Sequence, residues 1–185
     1  MALLPSPEQP LTDGVVVLRG WRQTDAAQLV EACKDPEIPR WTAVPDPYTL
    51  EDASAWVRGD PLPLEPPGDR VSFAVADAED DAHLLLGSIG IMRIERGQSG
   101  EIGYWLAPWA RGRGAMVRAV RLLAGWAWAE FRLRRIELVI AVDNLPSLAV
   151  AERAGFTREG VLRDYRQNKG VWRDHAMWSL LRDER

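Results

Sequence analysis

Two glycines within six residues, Arg111-Gly112-Arg113-Gly114-Ala115-Met116, stand between a strand-like run and a long apolar stretch, and this placement constrains the chain more than any other feature. Upstream, Glu101-Ile102-Gly103-Tyr104-Trp105-Leu106 is short, aromatic and aliphatic, and closed by Pro108, which is the pattern of a strand. Downstream, Ala115 to Phe131 holds almost nothing but Ala, Leu, Val, Met and Trp apart from Arg118, Arg121, Gly125 and Glu130. The first three fall at i, i+3 and i+7, so the spacing predicts a core helix that shows water one narrow stripe. The first turn of a helix carries free N–H groups and a partial positive charge, and glycines ahead of it let a ligand reach the backbone. The turn therefore reads as an anion site.

Charge agrees with this reading. The formal net charge is -4, yet Arg111 to Arg135 contains seven arginines against one acid, Glu130. A basic patch kept on an acidic protein concentrates anions locally. Arg118 and Arg121 read more simply as the solvated side of a buried helix, whereas Arg111 and Arg113 lie inside the glycine turn itself.

Two common phosphate motifs fail here. No Gly-x-x-x-x-Gly-Lys-Ser/Thr string exists in the chain, which argues against nucleotide triphosphatase chemistry. The dinucleotide fingerprint Gly-x-Gly-x-x-Gly meets Val117 at its third glycine and comes too late in the chain. What fits is Arg/Gln-x-x-Gly-x-Gly/Ala, and on this loop the chain resembles the GNAT superfamily of N-acetyltransferases, in particular its ribosomal-protein N-terminal acetyltransferase (RimJ/RimL-like) branch. Met116 stands at the last small position, a departure which that branch shares. The following segment extends the resemblance. Arg135 to Val142 is a β-branched run, and Asp143-Asn144-Leu145-Pro146-Ser147 opens a segment that closes on Gly155-Phe156. Asn144 as cap, Pro146 in the first turn and Gly155 at the end predict a helix without reference to any family. Gly170 to Met177 also resembles the last strand of the ribosomal-protein branch, so the likeness covers roughly residues 13 to 182.

The resemblance implies an α/β (α+β) fold: a mixed, mostly antiparallel sheet of about seven strands with about four helices on both faces, splayed between the family's fourth and fifth strands. The 185 residues, 46% of them hydrophobic, suit a single domain over residues 1 to 185. Leu11 to Arg19 reads as one strand, Thr24-Asp25 as the cap of a helix running to about Lys34, and Asp35 to Pro47 as loop. Thr49 starts a second helix, and Asp60 to Gly68, with four prolines, is irregular and a possible lid. Val71 to Ala76 and Leu84 to Ile94 read as strands about an acidic hairpin tip, with His83 a surface residue. Thr157 to Tyr165 and Val171 to Leu180 are the last two, joined through Asn168-Lys169-Gly170. One cysteine, Cys33, excludes an intrachain disulfide, and no His/Cys cluster has zinc spacing, so no metal is expected. With no targeting or membrane-length segment, the expected compartment is cytoplasm, and neither a nucleic-acid nor a membrane partner is expected. Oligomeric state is open, a homodimer included.

By resemblance, the chain transfers an acetyl group from acetyl-CoA to an amine acceptor, a protein N-terminus or a small molecule. The coenzyme would lie against Trp105, Leu106, Arg111, Gly112, Arg113, Gly114, Ala115, Met116, Asn144 and Ser147, with a backbone N–H near Leu106 facing the developing oxyanion. Glu101 is the carboxylate placed to take the amine's proton, directly or through an ordered water; a strand-edge ion pair is the other reading. The tyrosine that many members use to protonate the leaving thiolate falls at Ala151. Ser147 is the substitute, or else a helix N-terminal serine bonded to backbone; Asn144 holds the pantetheine arm or simply caps the helix. Asp174 is a weaker carboxylate, read as an ion-pair partner of arginines. Trp126 and Trp128 belong to the core, and Trp21, Trp41 and Trp56 suit an apolar wall for an acceptor. Ala151 also keeps open a non-catalytic coenzyme A-binding module.

Overall fold

In the computed structural model, which describes residues 7–59, 70–80 and 84–184, the chain builds one eight-stranded sheet between two layers of helix. The strands are β1 (Leu11–Thr12), β2 (Val16–Arg19), β3 (Arg70–Asp77), β4 (Leu85–Glu95), β5 (Ser99–Leu106), β6 (Arg135–Ala141), β7 (Thr157–Asn168) and β8 (Val171–Leu181), in the spatial order β1-β2-β3-β4-β5-β6-β8-β7. The helices are α1 (Asp25–Cys33), α2 (Glu37–Trp41), α3 (Leu50–Arg58), α4 (Ala115–Phe131) and α5 (Leu145–Ala154). Every neighbouring pair is antiparallel except β5 and β6. The proline-rich stretch from Asp60 to Gly68, together with Asp81 and His83, lies outside the described residues.

The mixed, mostly antiparallel sheet is as expected, with one strand and one helix more. The stretch expected as a single first strand is split, because Asp13 Oδ1 accepts from the amides of Val15 and Val16 and Gly14 takes φ +88°, a turn that makes β1 and β2 a hairpin. Helix α2 occupies part of the stretch expected as loop. Its prolines do not prevent it: Pro36 precedes the first turn and Pro39 falls within it, where backbone N–H groups have no intrahelical acceptor anyway. Thr24 stands at the start of α1 without a capping bond. Asp25 is instead buried, its carboxylate gripped by both terminal nitrogens of Arg19 at 2.8 Å, which locks β2 to α1. Thr49 does cap α3, in a reciprocal box with Asp52.

Alternation along β3 divides the core. Val71, Phe73 and Val75 pack against Met116, Ala119, Val120 and Leu123 of α4, while Ala74 faces Ala26 and Leu29 of α1 and Ala53 of α3. Trp126 meets Phe73 and Phe131 edge to face, and Trp128 is buried, so both tryptophans of α4 belong to the core. The wide apolar face of α4 fixes where its N-terminus lies, beside the end of β5.

β5 and β6 pair only over Ser99 to Glu101 against Arg135 to Glu137, and then diverge. The amide of Ala107 donates to Leu86 on the β4 side. Because successive backbone groups alternate, Ile102, Tyr104 and Leu106 turn theirs toward the side from which β6 has departed. Across from Leu106, Gly87 brings β4 so close that an added Cβ would lie 2.2 Å from the Trp105 carbonyl oxygen. Gly87→Ala is expected to destabilise the protein by about 1–3 kcal/mol through this overpacking, measured by urea unfolding. An unchanged midpoint would mean that the end of β5 yields freely.

Candidate active site

The turn before α4 adopts the conformation that its glycines permit. Gly112 and Gly114 take φ of +78° and +75°, and an added Cβ at either would meet nothing within 4 Å. Glycine is needed here for the dihedral, not for space inside the protein. The helix start has no side-chain cap and no acid in its first turn. From Gly112 through Val117, no backbone N–H has an acceptor among the described residues; Arg118 is the first to bond back, to the Gly114 carbonyl at 3.3 Å. Consecutive donors at the positive end of a 17-residue helix make a cradle for an anion.

The arginines around it divide differently from expectation. Arg111 is tied down, with Nη1 on Asp35 at 2.9 Å and Nη2 on the Leu106 carbonyl at 3.3 Å, so it fastens the turn to the corner between α1 and α2. Arg113 is exposed, with no partner among the described residues. Arg118 and Arg121 are exposed but not merely solvated. Arg118 pairs with Asp13 at 2.7 Å and Arg121 donates to the Arg153 carbonyl, and with Arg113 they line a basic hollow of about 550 Å³ beside the cradle.

On the far side of the splay, α5 begins at Asn144, whose Oδ1 accepts from the Ser147 amide at 3.3 Å. The Ser147 hydroxyl has no partner among the described residues and faces the main cavity. Tyr104 reaches across from β5 and donates its hydroxyl to the Ser147 carbonyl at 3.3 Å, bridging the diverged strands. Burial pushes its phenol above the ordinary range, so it stays protonated. Ala151, one turn further along α5, is fully buried.

The main cavity, about 730 Å³, runs through the splay from Asn144 and Ser147 to the face carrying α1, α2 and α3. Trp41, Trp56 and Trp105 line it, and Trp21 supports Trp56 edge to face. The β7–β8 tip crosses its outer side, where Asn168 Nδ2 donates to the Arg40 carbonyl at 2.9 Å and Lys169 Nζ to the Val44 carbonyl at 2.8 Å. Glu101 lies in this cavity only 7% exposed, and both carboxylate oxygens are engaged: Arg166 binds them in a fork at 2.7 Å, and Arg93 adds a contact at 3.1 Å. Asp174 has no arginine partner among the described residues. Its Oδ1 accepts from the Asp164 amide instead.

Four cavity residues carried no sequence signal that singled them out: Tyr104, Arg93, Arg166 and His175. His175 Nδ1 lies 3.0 Å from the Arg173 carbonyl, which selects the tautomer with hydrogen on Nδ1 and leaves Nε2 as an acceptor. Burial, with Arg166 and Arg173 nearby, holds its pKa below the ordinary 6.5, so the ring is neutral at pH 7.

Residues 16–157 match the model of the acetyltransferase (GNAT) domain. The chain belongs to the GNAT family of acetyltransferases. Among its relatives, Probable N-acetyltransferase YjcK of Bacillus subtilis is 40% identical over 111 residues, 59% of this chain and 60% of YjcK, so the match spans less than two thirds of that protein. An uncharacterised N-acetyltransferase of Bacillus licheniformis, p20, is 31% identical over 91% of this chain and 94% of its own length. In structure, Mycobacterium smegmatis RimJ in complex with CoA-disulfide superposes with a TM-score of 0.78 at 27% identity, covering 95% of this chain and 87% of RimJ. Among the described residues of this GNAT chain, no helix is long and apolar enough to cross a membrane and no group of His, Cys, Asp or Glu could hold a metal ion.

The His175 environment has a consequence for stability. A histidine whose folded pKa is depressed contributes stability that is present above its unfolded value and is lost as pH falls through the folded one. The melting temperature should therefore drop as pH falls below the ordinary histidine value of 6.5, and His175→Gln should flatten that part of the profile. An identical slope in the variant would place the titration elsewhere.

Proposed function

We propose that this GNAT protein transfers an acetyl group from acetyl-CoA directly to a primary amine. The observation that carries the reading is the run of unpaired amides from Gly112 to Val117, opening beside a strand pair that has come apart. The diphosphate of the coenzyme occupies the cradle, and its remaining phosphate suits the basic hollow of Arg113, Arg118 and Arg121. The pantetheine arm runs into the splay, where Leu106 and Tyr104 turn their backbone groups and Asn144 lines the way. This puts the thioester at the mouth of the cavity, with the backbone N–H of Leu106 facing its carbonyl.

The amine enters from the tryptophan side and attacks the thioester carbon; the carbon–sulfur bond of the tetrahedral intermediate then breaks. Ser147 gives the departing thiolate its proton, since its hydroxyl is uncommitted while its amide is held by Asn144. For the proton lost by the amine, Glu101 acts as base only by loosening its bonds to two arginines. Nε2 of His175, already neutral and unprotonated, takes it directly or through water. The acceptor is a protein N-terminus or a small amine, a range the fold alone does not narrow.

The test is release of free coenzyme A from acetyl-CoA in the presence of amines and N-terminal peptides. The enzyme should turn over at least one acceptor, and Ser147→Ala should lower kcat about 10²-fold or more, within the range for general acid catalysis, with little change in coenzyme affinity. Tight binding without turnover on any acceptor would favour a coenzyme-binding module, and an unaltered rate in the variant would remove Ser147 as the acid.

A further inference from the structure

Around Glu101 the sheet is bent on purpose, in two separate places. The β4–β5 register slips between Met92 and Glu95, and within that bulge Arg93 takes φ +52°. The β7–β8 register slips between Leu162 and Arg166, and there Asp164 takes φ +49°, its amide pinned by the Asp174 carboxylate at 2.8 Å. A left-handed conformation is unfavourable for a residue other than glycine, and bulges of this kind re-aim side chains beside functional sites. Both deliver a guanidinium to the same carboxylate. Arg93 comes from one side of the cavity and Arg166 from the other, and Glu101, buried beneath them, holds both.

The count of charge matters here. Arg70, Arg93 and Arg166 line the cavity, and Glu101 is the only acid among its described lining residues, in a chain whose net charge is -4. Glu101 occupies two N–H groups of Arg166 and one of Arg93; a guanidinium carries five, so each fork keeps donors to spare. Trp41, Trp172 and Tyr165 line the same cavity, and the Arg166 guanidinium lies 5.1 Å from the centre of the Tyr165 ring, which leaves its edges free for an anion.

We infer that Arg93 and Arg166, set by Glu101, form a binding site for an anionic group on the acceptor, so that the preferred acceptors are amines that also carry a carboxylate or a phosphate. Glu101 is then a positioning residue, and the forks give the bidentate geometry that oxyanions of both kinds accept. The inference rests on the transferase reading only in calling the occupant an acceptor; the anion site itself stands on the geometry of the bulges.

Binding is tested apart from turnover, by the fluorescence of the cavity tryptophans, with and without coenzyme A. The probes are two matched pairs: alanyl-glutamyl-glycinamide against alanyl-glutaminyl-glycinamide, and 2-aminoethyl phosphate against 2-aminoethanol. The anionic member of at least one pair should bind about ten- to hundredfold tighter, and which pair shows it tells carboxylate from phosphate. Arg166→Gln and Arg93→Gln should each bring that ratio close to one; Arg93 is the more exposed of the two, so its variant serves if Arg166→Gln does not fold. Glu101→Gln makes the cavity more positive, yet the ratio should fall because the forks lose their anchor. Equal binding within both pairs overturns the site, as does a ratio that survives in both arginine variants or rises in Glu101→Gln. Acetylation of the neutral amines would in that case leave the transferase reading intact. Conversely, anion preference without turnover of any probe or peptide would keep the site and remove the transferase.

Discussion

The first N–H groups of a helix have no intrahelical acceptor, and at the head of α4 six in succession have none among the described residues. They persist because the rest of α4 leaves no choice. Met116, Ala119, Val120, Leu123, Ala127 and Phe131 are buried against the sheet, so the helix can neither slide nor unwind to satisfy its first turn. Gly114, left-handed and without a capping side chain, keeps the donors pointing outward. Arg111 fastens the preceding turn to Asp35 and to the end of β5, which sets the distance between cradle and splay.

The second constraint is the parting of β5 from β6. Only three residue pairs join them, after which α5 and Tyr104 span the gap in place of a ladder. A continuous sheet would have satisfied those backbone groups and closed the cavity. The break leaves an opening through the sheet, with Asn144 and Ser147 at one end and the tryptophan wall at the other. The direct transfer proposed above needs such an opening, through which a nucleophile and a thioester would meet from opposite faces.

Much of this was legible in the residues. The apolar run of α4, the Asn144–Gly155 punctuation of α5 and the helix start at Thr49 are local signals, and each produced the element it announced. Family resemblance supplied the mixed, mostly antiparallel sheet and its splay, which no local pattern contains. The misses have identifiable causes. The turn at Asp13-Gly14 interrupts an otherwise continuous β-branched run, and α2 forms through prolines because they sit where donors are spare. Asp25 was drawn away from capping by a buried partner six residues back. Arg93 and Arg166 escaped notice because bulges break the period of two that assigns side chains to faces, and the contact of Asn168 with Arg40 spans 128 positions.

The central claim is that backbone amides at the twin-glycine turn hold coenzyme A. Isothermal titration with coenzyme A, comparing the native chain with Gly114→Glu after circular dichroism has established that both are folded, tests it most directly. A glutamate there must adopt φ near +75° and would place a carboxylate where the proposal puts the diphosphate. The account predicts measurable binding by the native protein and a loss of about a hundredfold or more in the variant, corresponding to roughly 2.7 kcal/mol. Equal affinity of the two proteins for coenzyme A would contradict it.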